Sequence, residues 1–177
     1  MSEGRTIAMG DVHGCTAALA ALVRAIDPTA LDTLVFLGDY IDRGPDSRGV
    51  LEQVIALGER CVVVPLLGNH EEMLLAALEG QSELRYWLKF GGTEALTSYG
   101  YRGGPELRPA DLRALIPGEH LRLIKGCRDY FEMVRYVFVH AYDEPDPSAS
   151  RPGAGCGGAP CRRSRKMTSA AEVRPSP

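Results

Sequence analysis

Two carboxylates and a guanidinium fall within five positions of the stretch Gly38-Asp39-Tyr40-Ile41-Asp42-Arg43-Gly44-Pro45-Asp46-Ser47. An apolar run, Leu34-Val35-Phe36-Leu37, has just ended there, and a fold alone does not need that much charge at a strand exit. Carboxylate oxygens suit divalent cations, and a planar Arg fork suits phosphate. Three other stretches have the same character: Gly10-Asp11-Val12-His13-Gly14, Gly68-Asn69-His70-Glu71 and Val139-His140-Ala141. In extended chain, residues two apart point the same way, so Asp11 and His13 can aim at one point. Asp11, His13, Asp39, Asn69 and His140 together offer oxygen and imidazole donors without a thiolate. That set suits Mn, Fe or Zn in a hydrolytic site.

Each motif alone has an ordinary reading. Asp11-Val12-His13-Gly14 could be a turn with a cap, Asn69-His70 an Asx-turn, Asp42-Arg43 a surface ion pair, and His140 a packed strand-end histidine. Their joint occurrence, each at a strand exit, is what points to a site.

The elements that must position these residues follow from apolar period. Ile7-Ala8-Met9, Leu34 to Leu37 and Cys61 to Leu67 read as strands, although Pro65 donates no ladder hydrogen bond. Helices follow each. The first carries Leu19, Leu22, Val23 and Ile26, with Thr16 as its expected cap; the second carries Val50, Leu51, Val54 and Leu57, capped by Ser47. The third runs through Met73, Leu74, Ala77 and Leu78. Strand–turn–helix units predict a parallel sheet, and ligands gather at the carboxyl ends of such strands. Residues 82–125 read as short helices capping the sheet, with Trp87 packing one of them and His120 on a helix surface. Tyr130 to Val139 reads as one further strand.

The motif series resembles the PPP-type serine/threonine protein phosphatases, of a bacterial or phage type, within the calcineurin-like metallophosphoesterases. The resemblance covers residues 5–143 in order. It implies an α/β fold, a β-sandwich flanked by helices, with a dinuclear metal centre at the strand ends. Asp11, His13 and Asp39 would hold the first cation. Asp39 would bridge to the second, which Asn69 and His140 would also bind. His70 would stay off the metals as general acid, oriented by Asp42, and Arg43 would bind the phosphoryl oxygens. The expected cofactors are two divalent ions, manganese first, with iron or zinc as alternatives. The expected reaction is hydrolysis of phosphate monoesters, foremost phosphoserine or phosphothreonine in proteins, by a metal-bridging hydroxide. Symmetrical dinucleoside tetraphosphatases are similar in the first and third motifs. Asp42-Arg43-Gly44 followed by Pro45-Asp46-Ser47 resembles the protein phosphatases better. A non-catalytic remnant that binds phosphate or a partner is the third reading.

The pattern breaks in one place. The resemblance implies a further histidine on the second metal, on a later strand in a Gly-His-Thr context, and a second phosphate-binding arginine. The chain has four histidines, His13, His70, His120 and His140, and none lies beyond residue 140. Pro, Gly, Ser, Ala and Arg dominate from there on. The expectation is a metallophosphoesterase domain over residues 1–144, lacking its C-terminal strands, and a low-complexity, disordered tail over 145–177 that stems from a frameshift or truncation. Weakened second-metal binding and low activity would follow.

Composition excludes other classes. The net charge of −3 provides no basic field for nucleic acid. No apolar run reaches membrane length, and residues 1–6 contain no secretory h-region, so a cytoplasmic protein is expected. Five cysteines at scattered spacings, Cys156 and Cys161 among them, read as reduced thiols rather than zinc ligands.

Overall fold

In a computed structural model, the chain is described at residues 4–104 and 106–141, with the backbone of a further two-residue strand at 174–175. Three strands, β1 (Thr6–Met9), β2 (Thr33–Phe36) and β3 (Val62–Pro65), form a parallel sheet in sequence order. Helices α1 (Thr16–Ile26) and α2 (Ser47–Leu57) make the crossovers, and α3 (Asn69–Ala77) leaves β3. A helical segment follows: α4 (Gln81–Trp87), a kink (Leu88–Gly92), α5 (Thr93–Ser98), α6 (Pro109–Leu115) and α7 (Gly118–Lys125). Then β4 (Tyr130–Met133) and β5 (Tyr136–Val139) pair antiparallel, and the short β6 (Arg174–Pro175) pairs antiparallel with β5.

β2 shows why this is a sandwich. Its alternate residues serve two cores. Leu34 and Phe36 join the large core built with the helices. Val35 and Leu37 join a second core with Val64, Leu66 and Phe138, against which Phe131 and Met133 pack. The helices therefore cover one face of the parallel sheet, and the β4–β5 hairpin covers the other. The expected α/β sandwich is present.

Pro65 turns out to be harmless to the strand. Val62 and Leu66 donate their N–H groups to β2, at Asp32 and Phe36, so position 65 would aim its N–H at the outer edge. There only its carbonyl is used, accepting from Arg128 N–H at 2.9 Å. At the other end of the sheet, Asp32 is 2% exposed and accepts from Arg5 and Thr29, which ties the start of β1 to the start of β2. These bonds hold its carboxyl well below the usual carboxylate range, the Arg5 guanidinium foremost.

Several local expectations need correction. Thr16 is the first residue of α1 and not its cap; its hydroxyl donates to Asp46, at the carbonyl and at Oδ2. Asp46, not Ser47, caps α2 by accepting from Gly49 N–H at 2.8 Å. Leu22 is half exposed, so the buried stripe of α1 is Leu19 and Val23. The segment 130–139 is a hairpin and not one strand: its period of two spans both arms, and only the turn at Val134-Arg135 breaks the ladder. His120 is wholly buried, with Nδ1 hydrogen-bonded to the Tyr99 hydroxyl at 2.8 Å.

Among the described residues, Cys15, Cys61 and Cys127 are free thiols, and no helix is long and apolar enough to cross a membrane. Apart from β6, the tail over 145–177, with Cys156 and Cys161, lies outside the described residues.

Candidate metal centre

The three parallel strands end side by side, and their exit loops are bonded to one another. Val12 and His13 N–H groups both donate to the Asp39 carbonyl, at 3.0 and 2.9 Å, and Gly14 N–H donates to Tyr40 O at 2.8 Å. Four non-glycine residues here hold positive φ: His13 (43°), Asp39 (52°), Asp42 (71°) and Arg43 (63°). Each such residue costs on the order of 1–2 kcal/mol. Strain of this kind persists where surrounding bonds over-determine it, and it clusters at functional sites. The β2 and β3 exits also come unusually close to each other and to His140. A Cβ on Gly38 would lie 2.7 Å from Gly68 Cα and 2.8 Å from His140 Nδ1, so only glycine fits there.

The side chains converge on Asp39. His13 Nε2 is 3.5 Å and His70 Nε2 4.0 Å from its Oδ2, and His140 Nε2 is 3.4 Å from its Oδ1. Donor atoms of His13, Asp39 and His70 lie within 4.8 Å of one another, as do those of Asp11, Asp39 and His140. Asp39 is common to both groups. Asp11, expected beside His13, is grouped with His140, and His70, expected off the metals, is a member of the first group.

Hydrogen bonds set which nitrogens face the cluster. His13 Nδ1–H donates to the Ile41 carbonyl at 2.9 Å and His140 Nδ1–H to the Leu37 carbonyl at 2.7 Å. Both rings thus present an Nε2 lone pair, the arrangement that metal-ligating histidines adopt. Asn69 sits against His140 Nε2 at 3.1 Å; with its NH2 inward, the amide donates to that nitrogen and to both Asp39 oxygens at 3.2 Å. The opposite amide orientation offers Oδ1 to a cation. The donor set therefore fits divalent metal on the chemistry of its own atoms. Arg43 Nη1 donates to His13 Nε2 at 3.0 Å, placing a guanidinium at the edge of the cluster.

His70 and Asp42 form a buried pair. His70 Nδ1–H donates to Asp42 Oδ2 at 2.7 Å, and both side chains are 0% exposed. Asp42 is therefore not half of a surface ion pair. Burial pushes its carboxyl up, opposed by the bonds from His70 and from Trp87. His70 Nε2 is buried and has no hydrogen-bond partner. Such an orphaned nitrogen beside Asp39 marks a place where a ligand atom is expected.

Glu71 was missed as a functional residue, although it sits inside a motif. Its carboxylate is wholly buried. It accepts from Asp39 and Gly68 N–H through Oε2, and from Tyr40 and Ile41 N–H through Oε1. It thus grips the loop that carries Asp39. Burial, and then the Asp39 charge, push its carboxyl up to about 8 against those bonds. Its position at the third residue of α3 was the available signal, because a Glu there can reach back to the preceding N–H.

A family model for calcineurin-like phosphoesterases matches residues 4–148. The chain belongs to that family. Candidate metal-ligating side chains are gathered at its strand ends. Over 84 residues it is 43% identical to the symmetrical bis(5'-nucleosyl)-tetraphosphatases of Burkholderia pseudomallei and Burkholderia thailandensis, a match covering 48% of this chain and 29% of each relative. The chain thus spans under a third of the length of these relatives. A crystal structure of a "putative diadenosine tetraphosphatase" aligns with a TM-score of 0.56 at 26% identity, over 83% of this chain and 52% of that one. A serine/threonine phosphatase from Saccharomyces cerevisiae aligns with a TM-score of 0.51 at 18% identity, over 83% and 44%, and shares the fold.

Proposed function

We propose that this chain carries metal-binding strand ends of a hydrolase that splits dinucleoside tetraphosphates symmetrically. The observation that carries the hydrolytic reading is Asp39 standing in two donor groups at once, one of them shared with His13 and His70, with Arg43 at the edge. The relatives named as tetraphosphatases support the substrate class. On this reading Asp11, His13, Asp39, Asn69 and His140 hold two divalent cations, manganese foremost. When bound, these supply an activated water and neutralise phosphate charge. Arg43 leaves His13 to take the phosphoryl oxygens, for which its planar fork is suited. His70, held through Nδ1 by Asp42, presents Nε2 to the leaving oxygen as proton donor. Water adds to one inner phosphorus, the central P–O–P bond breaks, and two nucleoside diphosphates leave.

The phosphoprotein reading rested locally on Pro45-Asp46-Ser47. Asp46 is occupied as the α2 cap, and the Ser47 hydroxyl accepts from Asp42 N–H at 2.9 Å. These residues serve the fold at this point, so they do not favour a protein substrate over a nucleotide one.

The test is one manganese-supplemented comparison of diadenosine tetraphosphate, a phosphoserine peptide and p-nitrophenyl phosphate. The proposal expects the tetraphosphate to turn over fastest, with ADP as the only nucleotide product. Faster turnover of the phosphopeptide would overturn the substrate. Bound metal with no turnover of any substrate would favour the non-catalytic remnant.

A further inference from the structure

Asp42 is a buried acid that no Lys or Arg pairs with among the described residues. Its two hydrogen-bond donors arrive on the same oxygen: His70 Nδ1 at 2.7 Å and Trp87 Nε1 at 2.8 Å, while Oδ1 has no partner. Trp87 is 1% exposed. A tryptophan kept only for packing has no reason to spend its one N–H on a carboxylate already engaged by a histidine, since the indole could as well meet a backbone carbonyl. Here it meets the acid that orients His70.

The surroundings hold the indole to this task. Trp87 is the last residue of α4 and leads into the kink Leu88–Gly92, where Phe90 and Gly91 leave helical φ/ψ. Gly91, at φ 110°, accepts from Arg43 N–H through its carbonyl at 3.2 Å; a Cβ there would lie 2.6 Å from Arg43 N. A Cβ on Gly92 would lie 2.6 Å from the Trp87 ring. One turn of the helical segment therefore fixes both the indole under Asp42 and the backbone of Arg43.

We infer that Trp87 is a positioning residue: its indole N–H pins Asp42 Oδ2, so that Asp42 holds His70 with Nε2 turned toward the Asp39 cluster. The inference rests on the reading of His70 as proton donor. It makes the helical segment a working part of the site and not merely a cover. Packing and positioning separate cleanly here because Trp87 is the only tryptophan in the chain. Growing the protein with β-(3-benzothienyl)alanine in place of tryptophan replaces that one N–H with sulfur and keeps the bicyclic shape. Trp87→Phe is the second variant.

Two readouts decide. In the metal-free protein, solvent exchange of the His70 Nδ1 proton, followed by nitrogen-edited NMR, is expected to rise about tenfold, the scale of one charge-assisted hydrogen bond. In the manganese-loaded protein, turnover of a phosphoserine peptide, whose serine alkoxide leaves poorly without a proton, is expected to fall about tenfold, while p-nitrophenyl phosphate, whose phenolate needs little proton donation, changes less than twofold. Unchanged exchange overturns the inference, whatever the kinetics. Equal losses on both substrates also overturn it, because they report a structural role. His70→Asn runs alongside. If it discriminates between the leaving groups and the benzothienyl protein does not, the inference fails alone. If His70→Asn does not discriminate, the proton-donor reading fails and takes the inference with it.

Discussion

His70 and His120 are both wholly buried, both bonded through Nδ1, and both left with an Nε2 that has no partner. Their settings differ. His70 leans on a carboxylate at a strand exit and directs Nε2 at Asp39, 4.0 Å away. His120 leans on the Tyr99 phenol between α5 and α7 and belongs to neither donor group. Burial therefore pushes the His120 imidazole pKa down without a buried carboxylate bonded to it. The same ring with the same orphaned nitrogen is a candidate acid in one place and a core residue in the other. What separates them is convergence of strand ends, which no single-residue property reports.

The largest effect that sharpens this comparison is on turnover. His70→Asn is expected to lower kcat by roughly 10²–10⁴-fold, the usual worth of a positioned acid. His120→Asn should stay within about threefold in manganese-supplemented steady-state assays. Comparable losses at both positions would erase the distinction.

Next comes the loop beneath His70. Glu71→Gln places an NH2 against backbone N–H donors. It should cost about 2 kcal/mol in urea unfolding, the order of a buried unsatisfied donor, and should weaken manganese binding. Retained metal affinity would show that Asp39 does not need this grip. His13 offers a third variation, since Arg43 already occupies its Nε2. Arg43→Ala should free that lone pair and remove a positive charge, raising manganese affinity about threefold in calorimetry while weakening inhibition by inorganic phosphate.

The motifs at 10–14, 38–44, 68–71 and 139–141 were legible because each interrupts an apolar run with ligand chemistry at a strand exit. The structure brings all of their ligand-type residues to one end of the sheet. Less legible were the residues whose work is done across the chain. Thr16 and Ser47 look like caps because a hydroxyl before a helix is a local signal, yet their bonds run to Asp46 and to the Asp42 backbone. Trp87 and His120 lie on apolar faces, and periodicity assigns a face without saying where a lone N–H points. Asp42 and Trp87 are 45 residues apart, a separation that no window of sequence spans.

The smallest effect concerns His120 and pH. Its folded pKa lies below its unfolded value of about 6.5, so it contributes stability above that value and loses it as pH falls through the folded pKa. The urea midpoint should therefore fall between pH 7 and pH 5 in the wild type, and fall less in His120→Phe. Groups such as Glu119 and Glu52 temper the shift, and Arg48 adds to it.

The central claim is that side chains from four strand exits seat two cations about Asp39. A crystal of the protein grown with millimolar manganese tests it by anomalous scattering. Two peaks are expected roughly 3.5–4 Å apart, both touching Asp39, and neither in Asp39→Asn. Peaks elsewhere, or a single peak that survives Asp39→Asn, would contradict it.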